Sequence, residues 1–196
     1  NGFIAGTAIG YDPSYITTGH DHQALATGFQ IGQRFHSAKT VRIADGCPVH
    51  LGHQVKADGR WRLFIFADSK SPLAQDSASA SLIHYLAHNP ASPVLKYTPE
   101  EDDIDAVIDV YTVFQQHDLT IETLPAFIWP AKGKYGLRDY EKAFQCDPEH
   151  DIFKSRGIDR KQGCVVIVRP DQHIANILPL DAHEALSGFF DEFMLA

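Results

Sequence analysis

Two pairs of histidines have the ligand type that transition metals bind most often in proteins. His20 and His22 would share one face if their segment formed a strand, a geometry that suits metal ligation. His50 and His53 would point to opposite faces of the strand predicted for their segment. Neither pair forms an HExxH motif, and no third histidine, cysteine or carboxylate stands at a spacing that is typical of a metal site. The sequence therefore favours solvated histidines and no metal site, with a metal-dependent enzyme using His20 and His22 as a weaker alternative.

A dense run of carboxylates could supply paired groups for general acid–base catalysis. Its members are Glu100, Glu101, Asp102, Asp103, Asp105 and Asp109. Such runs are typical of solvated surfaces, because like charges repel one another when they are brought close together without cations. We therefore predict that this run forms an exposed face and not a catalytic centre.

Motifs for nucleophilic catalysis and for nucleotide binding are missing from the sequence. No Gly-x-Ser-x-Gly string is present to hold a hydrolase nucleophile. The glycine-bounded segments 6–10 and 28–32 match neither GxGxxG nor the P-loop pattern, and neither clearly follows a strand and opens a helix. The sequence thus assigns no catalytic, cofactor-binding or metal-binding residue to this chain.

Charge and cysteine usage restrict the partners and the compartment of this protein. The 196 residues include 17 lysines and arginines against 25 aspartates and glutamates, for a net charge of −8. An acidic chain lacks the basic surface that phosphate binding needs, so we predict no nucleic-acid partner. No apolar run reaches about 18 residues, so we predict no membrane-spanning helix. Cys47, Cys146 and Cys164 are far apart and odd in number, which together with the missing signal peptide predicts a cytoplasmic protein.

Hydrophobic patterns predict the elements that must position these residues. Alternation of apolar and polar residues predicts strands at 41–44 and 49–55. Continuous apolar runs predict buried strands at 61–67, 106–114 and 164–168. A return strand is predicted at 174–180. Apolar stripes predict helices at 76–88 and 182–195. The Thr98-Pro99 pair predicts the start of a short helix. Another short helix at 136–144 would bury Leu137, Tyr140 and Phe144.

From Trp61 onward the predicted order is strand, helix, strand, short helix, strand, strand, helix. This βαβαββα order is that of the thioredoxin fold, with parallel strands joined by helices and a final antiparallel hairpin. We predict an α/β protein with this thioredoxin-like core and a mixed sheet, preceded by extra N-terminal strands. Residues 1–35 would form an irregular arm, the tail of a preceding domain or a link from it, and residues 36–196 would form the thioredoxin-like domain.

Thiol chemistry is the first function to test in such a fold. Redox members place Cys-x-x-Cys directly after the first core strand, where a helix N-terminus lowers the pKa of the thiol. Residues 68–73 hold no cysteine, and residues 157–163, before the third core strand, hold no counterpart of the cis-proline of those members. We therefore predict a domain without thiol exchange, in which Cys164 is a small core residue.

Several strings distributed along the chain, in a fixed order, carry a family resemblance. They are Tyr11–Ser14, Gly32–Phe35, Asp58–Trp61, Gly133–Glu141, Arg156–Arg160 and Val168–Gln172. Together they resemble the C-terminal region of FAD-dependent aromatic hydroxylases of the phenol 2-monooxygenase and 3-hydroxybenzoate 4-monooxygenase group. The resemblance covers essentially the whole chain, and its most specific part is the Arg-Pro-Asp string at Arg169. His36 departs from it, because members often have proline there.

The resemblance implies a non-catalytic accessory domain that takes part in subunit contact. Its partners would be a second subunit, or the flavin and substrate domains that precede it in a longer parent. The parent would hydroxylate a phenolic substrate with O₂, FAD and NAD(P)H, whereas the flavin fingerprints of the family have no counterpart in this chain. The chain begins with Asn1 and not with methionine, so we expect a fragment of a longer protein. The alternative from another class is a stand-alone thioredoxin-like binding module without redox activity.

Overall fold

A computed structural model describes residues 10–195, and strands form the centre of the molecule. The strands are β1 (Lys39–Arg42), β2 (Pro48–His50), β3 (Trp61–Phe66), β4 (Ile108–Phe114), β5 (Ala131–Lys132), β6 (Leu137–Arg138), β7 (Ala143–Cys146), β8 (Cys164–Val168) and β9 (Ile174–Leu178). The helices are α1 (Ala78–His88), α2 (Pro93–Tyr97), α3 (Ile152–Ser155) and α4 (His183–Asp191). The glycine-bounded segment 6–10 lies outside the described residues, apart from Gly10.

Seven of these strands form one mixed sheet in the order β2-β1-β7-β4-β3-β8-β9. Strand β3 is parallel to β4 and antiparallel to β8, and β8 is antiparallel to β9. With α1, α3 and α4 these four strands follow the βαβαββα order, in which α3 takes the place of the helix predicted over 136–144. The predicted fold class is confirmed. The predicted N-terminal strands β1 and β2 join this core through β7, which is parallel to β4.

Both faces of the sheet are covered, which explains the continuous apolar run in β3. Leu63 and Ile65 pack in the cluster formed with α1, α2 and α4. Phe64 and Phe66 point to the opposite face, where Phe35 stacks on Phe64 and Phe29 packs against Phe66. Successive side chains of a strand alternate between faces, so a strand buried on both sides must be apolar at nearly every position.

The N-terminal arm, residues 10–35, is irregular as predicted but is packed firmly onto the sheet. Leu25, Phe29 and Ile31 are buried in the core. Backbone hydrogen bonds tie the arm to β9: the Gly32 N–H donates to the carbonyl of Ile174, which lies 2.8 Å away. The arm therefore covers the outer edge of β9, an edge that would otherwise expose unpaired backbone groups. The domain boundary at residue 35 stays a prediction.

The short helix predicted from Thr98-Pro99 lies earlier in the chain, so this prediction is wrong. Helix α2 begins at Pro93, which directly follows the N-cap residue Ser92. Thr98 ends this helix in an extended conformation with ψ 122°. Pro99 ends α2 at this point, because a proline disfavours helical geometry in the residue before it. The helix forms after Ser92 because Val94 and Tyr97 then pack in the core.

The helix predicted over 136–144 is also wrong. Leu137 belongs to the two-residue strand β6, and Phe144 is buried in β7. Strand β7 forms because it fits between β1 and β4 in the sheet, a pairing between segments that are distant in sequence. Tertiary pairing of this kind overrides a local helical pattern. Leu137 and Tyr140, which the helix would have buried, are 70% and 41% exposed.

Smaller differences occur at the ends of other elements. Strand β2 stops at His50, and a 3₁₀ helix over Leu51–Gln54 replaces the rest of the predicted strand. The N-cap position of α4 is held by Ala182 instead of the predicted Asp181. Within residues 10–195, no helix has the length and the apolar character needed to cross a bilayer.

Candidate functional site

The loop between β3 and α1 lies where redox members of this fold carry their reactive thiols. Asp68 occupies this loop and is buried, with 2% of its surface exposed. Its carboxylate accepts hydrogen bonds from the hydroxyls of Ser79 (2.6 Å) and Ser77 (3.1 Å) and from the backbone N–H groups of Ala78 and Ser79 (both 3.2 Å). A fixed carboxylate thus meets the positive end of the helix dipole at the place where a thiolate would act.

Gly163 closes the same region from the other side, directly before β8. Its φ is +65°, and a Cβ atom at this position would lie 2.4 Å from the carbonyl oxygen of Phe66. The same Cβ would lie 2.8 Å from the backbone nitrogen of Asp68. The backbones that follow β3 and precede β8 are therefore packed directly against each other, and only glycine fits between them.

None of the three cysteines belongs to this loop, although Cys164 lies beside it, opposite Phe66 in the register of β3 and β8. Cys47 is exposed, whereas Cys146 and Cys164 are buried. Burial raises the pKa of both buried thiols above the ordinary value, so they are protonated at neutral pH. A protonated thiol is a poor nucleophile. The prediction that Cys164 serves as a core residue is confirmed by its complete burial.

Replacement of Asp68 by alanine is expected to lower the free energy of unfolding by about 2–3 kcal/mol. It removes the acceptor of the first two N–H groups of α1 and of two buried hydroxyls, whereas the N-cap Ser77 keeps its bond to the Ala80 N–H. Urea unfolding of this chain measures the change. Asp181→Ala is the matched control, since Asp181 is exposed and its side chain caps no helix. The control is expected to stay within about 0.5 kcal/mol of the parent. Equal losses in the two variants would contradict the capping role.

The densest group of charges in the described chain lies at the other end of β3 and β4. We call it the ionic cleft, and it consists of Arg60, Arg62, Lys132, Lys142, Asp58, Asp103, Asp105, Asp109 and Asp139. Six of these nine side chains line a cavity of about 380 Å³. Asp109 is at the centre: its carboxylate lies 2.8 Å from Lys142 Nζ and 3.2 Å from the guanidinium of Arg60.

The predicted exposed acidic face is wrong for two of its members. Asp105 is 4% exposed and Asp109 is 0% exposed, whereas Glu100 and Glu101 are exposed as predicted. The reason is that cations from separate segments surround the buried carboxylates. Arg62 lies directly opposite Asp109 in the register of β3 and β4. A carboxylate is buried without great cost only when partners of this kind compensate its charge.

Three groups in or beside the ionic cleft, Lys142, Asp105 and Tyr111, have pKa values shifted away from neutral pH. Burial favours neutral Lys142, but the charges and hydrogen bonds of Asp109, Tyr111 and Asp139 together outweigh burial, and the pKa of Lys142 lies above its usual value. Burial likewise favours neutral Asp105, but Lys132 and Lys142 outweigh it, and the pKa of Asp105 lies below its usual value. Burial raises the pKa of Tyr111 to about 12. A general acid or base works best with a pKa near the operating pH, and these three shifts all lead away from it.

The ionic cleft therefore joins elements and does not form an acid–base pair. It connects β3, β4, β7 and the β5–β6 hairpin through ion pairs at the same end of the sheet. Sequence reasoning missed this cleft although a signal was present. Arg62 and Asp109 are single charged residues within strands that are otherwise almost wholly apolar.

The structure places the two histidine pairs differently from the prediction. His20 and His22 lie in a turn and not in a strand, and the His20 ring contacts the side chain of Gln23. The rings of His50 and His53 are 5.2 Å apart, so the prediction that they point to opposite faces is wrong. The 3₁₀ helix after His50 brings residues three apart onto one side. No set of three or more histidine, cysteine or acidic side chains within residues 10–195 has the arrangement of a metal site.

The Arg-Pro-Asp turn fastens the arm to the final hairpin. Arg169 has the carboxylate partner that its burial requires, because Asp171 lies 2.6 Å from its guanidinium. The same guanidinium lies 4.6 Å from the centre of the Tyr11 ring. The Asp171 carboxylate also accepts a hydrogen bond from the backbone N–H of His173, and Gln172 adopts a φ of +70° in the turn. The contacts of Asp171 hold the turn itself, and the contact between Arg169 and Tyr11 joins the turn to the distant arm.

Fold and loop chemistry together define a thioredoxin-like domain in which a helix-capping carboxylate stands at the place of the reactive thiol. A thioredoxin-like protein from Bacteroides caccae has the same fold, with a TM-score of 0.51 and 12% identity over 83% of this chain and 50% of that one. The family model described as the phenol hydroxylase C-terminal dimerisation domain matches residues 9–196. The chain belongs to this family, and the resemblance stated from its motifs is confirmed.

Curated relatives share almost the whole of this chain. It is 47% identical to 3-hydroxybenzoate 4-monooxygenase of Comamonas testosteroni, over 99% of this chain and 31% of that protein. It is 36% identical to the FAD-dependent monooxygenase terD of Aspergillus terreus, over 98% of this chain and 32% of that protein. Identity to the phenol 2-monooxygenase fsqG of Aspergillus fumigatus is 27% over 96% of this chain and 32% of that protein. The chain thus spans about a third of the length of these relatives.

Proposed function

We propose that this chain is the subunit-contact domain at the C-terminus of an FAD-dependent monooxygenase that hydroxylates a phenolic ring. The parent would use O₂ and NAD(P)H, and a hydroxylated benzoate is the substrate class that we favour. The observation that carries the proposal is the 47% identity to 3-hydroxybenzoate 4-monooxygenase over 99% of this chain. The remainder of such a protein would contain the flavin and substrate sites.

Neither the N-terminus of α1 nor the cavity at the ionic cleft fits FAD. A helix N-terminus is the usual place for a pyrophosphate group, but the N-terminus of α1 is filled by the carboxylate of Asp68. The cavity at the ionic cleft is lined mainly by charged side chains of both signs, including the carboxylates of Asp58, Asp103 and Asp139. Such a lining repels a second anion and is too polar for an isoalloxazine ring. The proposal therefore assigns the flavin to the preceding domains of the parent.

Flavin content of the full-length parent and of this chain tests the proposal. The parent is expected to purify with FAD and to absorb at about 450 nm. It is also expected to oxidise NADH or NADPH when a hydroxybenzoate or phenol is added. The isolated chain is expected to be colourless and inactive in the same assay. Stoichiometric flavin on the isolated chain, or a flavin-free full-length protein, would contradict the proposal. A reading frame that does not continue upstream into a dinucleotide-binding domain would favour the stand-alone binding module.

A further inference from the structure

The β5–β6 hairpin exposes large apolar side chains at a density found nowhere else in the described chain. Tyr135 is 79% exposed, Leu137 is 70% exposed and Tyr140 is 41% exposed, all within six residues. The four other exposed large apolar residues are spread over the arm, the loop after β3 and the chain end. Clustered exposed apolar groups mark interaction surfaces, whereas single ones are ordinary.

The tip of this hairpin stands clear of the rest of the chain. Strands β5 and β6 pair only with each other. Gly133 and Gly136 both adopt a φ of +60° in the turn, and a Cβ atom at either glycine would meet no atom within 4 Å. The tip is therefore surrounded by open space and is accessible to a partner.

The base of the hairpin is held rigidly, which a binding element requires. Lys132 forms ion pairs with Asp103 and Asp105 of the ionic cleft. Asp103 also accepts a hydrogen bond from the Gly133 N–H at 2.8 Å, and Arg138 donates one to the carbonyl of Trp129 at 2.8 Å. A two-stranded hairpin is only marginally stable alone. These contacts fix the conformation of the hairpin, so the hairpin loses little conformational entropy when a partner binds.

The charge of the hairpin favours a second copy of this chain as the partner. The chain as a whole carries a net charge of −8, so two copies repel each other on average. Segment 131–141 is different, because it contains three basic and two acidic residues. Contact through this segment brings two acidic molecules together without local repulsion.

We propose that the β5–β6 hairpin is a contact surface between two copies of this chain, with Tyr135 and Leu137 as its main anchors. Tyrosine is a common anchor residue at interfaces, where a few side chains carry most of the binding energy. This inference rests on the proposed function, because it names the surface through which the subunits would meet. Other surfaces must contribute too, since a stable contact buries about 800 Å² on each partner.

Sedimentation of the full-length parent over a range of concentrations tests this surface. The double variant Tyr135→Ser/Leu137→Ser is expected to raise the dimer dissociation constant by about 30-fold or more. The matched control is Tyr15→Ser/Leu73→Ser, which removes side chains that are 79% and 63% exposed elsewhere on the chain. The control is expected to dimerise like the unaltered protein. The circular dichroism spectrum reports whether each variant is folded, and FAD content is measured separately.

The outcomes separate the inference from the proposed function. Unchanged dimerisation of the hairpin variant would overturn the inference while the subunit-contact function stands. Loss of FAD with unchanged dimerisation would show that the hairpin docks on the parent's own flavin domain. That result would also overturn the inference. An unaltered full-length protein that stays monomeric at every concentration would overturn the proposed function itself.

Discussion

Replacement of Asp109 by alanine is expected to lower the free energy of unfolding by about 3–5 kcal/mol, the usual cost of removing one partner from a buried ion pair. Asp109 is fully buried, and its carboxylate faces Arg60, Arg62 and Lys142. Without it, Lys142 keeps its charge in a buried place with fewer compensating carboxylates. Urea unfolding of this chain, followed by circular dichroism, measures the change.

Two further variants test whether the loss comes from the buried pair. Asp76→Ala removes the same side chain from the exposed Lys70–Asp76 ion pair, and it is expected to cause no measurable loss. The double variant Asp109→Ala/Lys142→Met removes both members of the pair, so its loss is expected to be smaller than the sum of the two single losses. Strictly additive losses would argue against coupling between Asp109 and Lys142.

Replacement of Gly163 by alanine is expected to cost about 3 kcal/mol or more. The positive φ of +65° is unfavourable for any residue with a Cβ atom, by about 1–2 kcal/mol. In addition, the new Cβ would lie 2.4 Å from the carbonyl oxygen of Phe66, which is backbone and cannot rotate away. Relief requires that the end of β3 or the start of β8 shifts, in a core that is closely packed. Thermal and urea unfolding measure the loss.

Gly46 supplies the control for this prediction. It has a similar φ of +69°, but a Cβ atom there would meet nothing within 4 Å. Gly46→Ala is therefore expected to show only the conformational cost of about 1–2 kcal/mol. The difference between the two variants isolates the close approach of the backbones. Equal losses would mean that the contact between the loops has no energetic importance.

Local patterns predicted the elements whose burial is decided by their own sequence. The apolar runs of β3 and β8 and the apolar stripe of α1 gave correct element types, because each is buried along a face that its periodicity defines. The order of these elements then sufficed for the thioredoxin-like core. Helix α2 was misplaced because Ser92-Pro93 and Thr98-Pro99 are equivalent start signals six residues apart. The packing of Val94 and Tyr97 in the core decides which of the two signals starts the helix.

Features that depend on distant partners could not be predicted from a local window. Strand β7 exists because β1 and β4 flank it, and nothing within residues 136–144 encodes that pairing. The exposure of Tyr135, Leu137 and Tyr140 was hidden by the same error, since a helix there would have buried the last two. The function came from the family resemblance and not from reactive side chains.

The packing of the arm has a practical consequence for anyone who excises this domain. Residues 10–35 fill the space beneath Phe64 and cover the β9 edge. A recombinant fragment that starts at residue 36 would expose the aromatic side chains beneath the arm and the unpaired backbone groups of β9. Both kinds of exposed surface promote aggregation during expression. The first cloned residue should therefore precede Tyr11, so that the ring held by Arg169 stays in place.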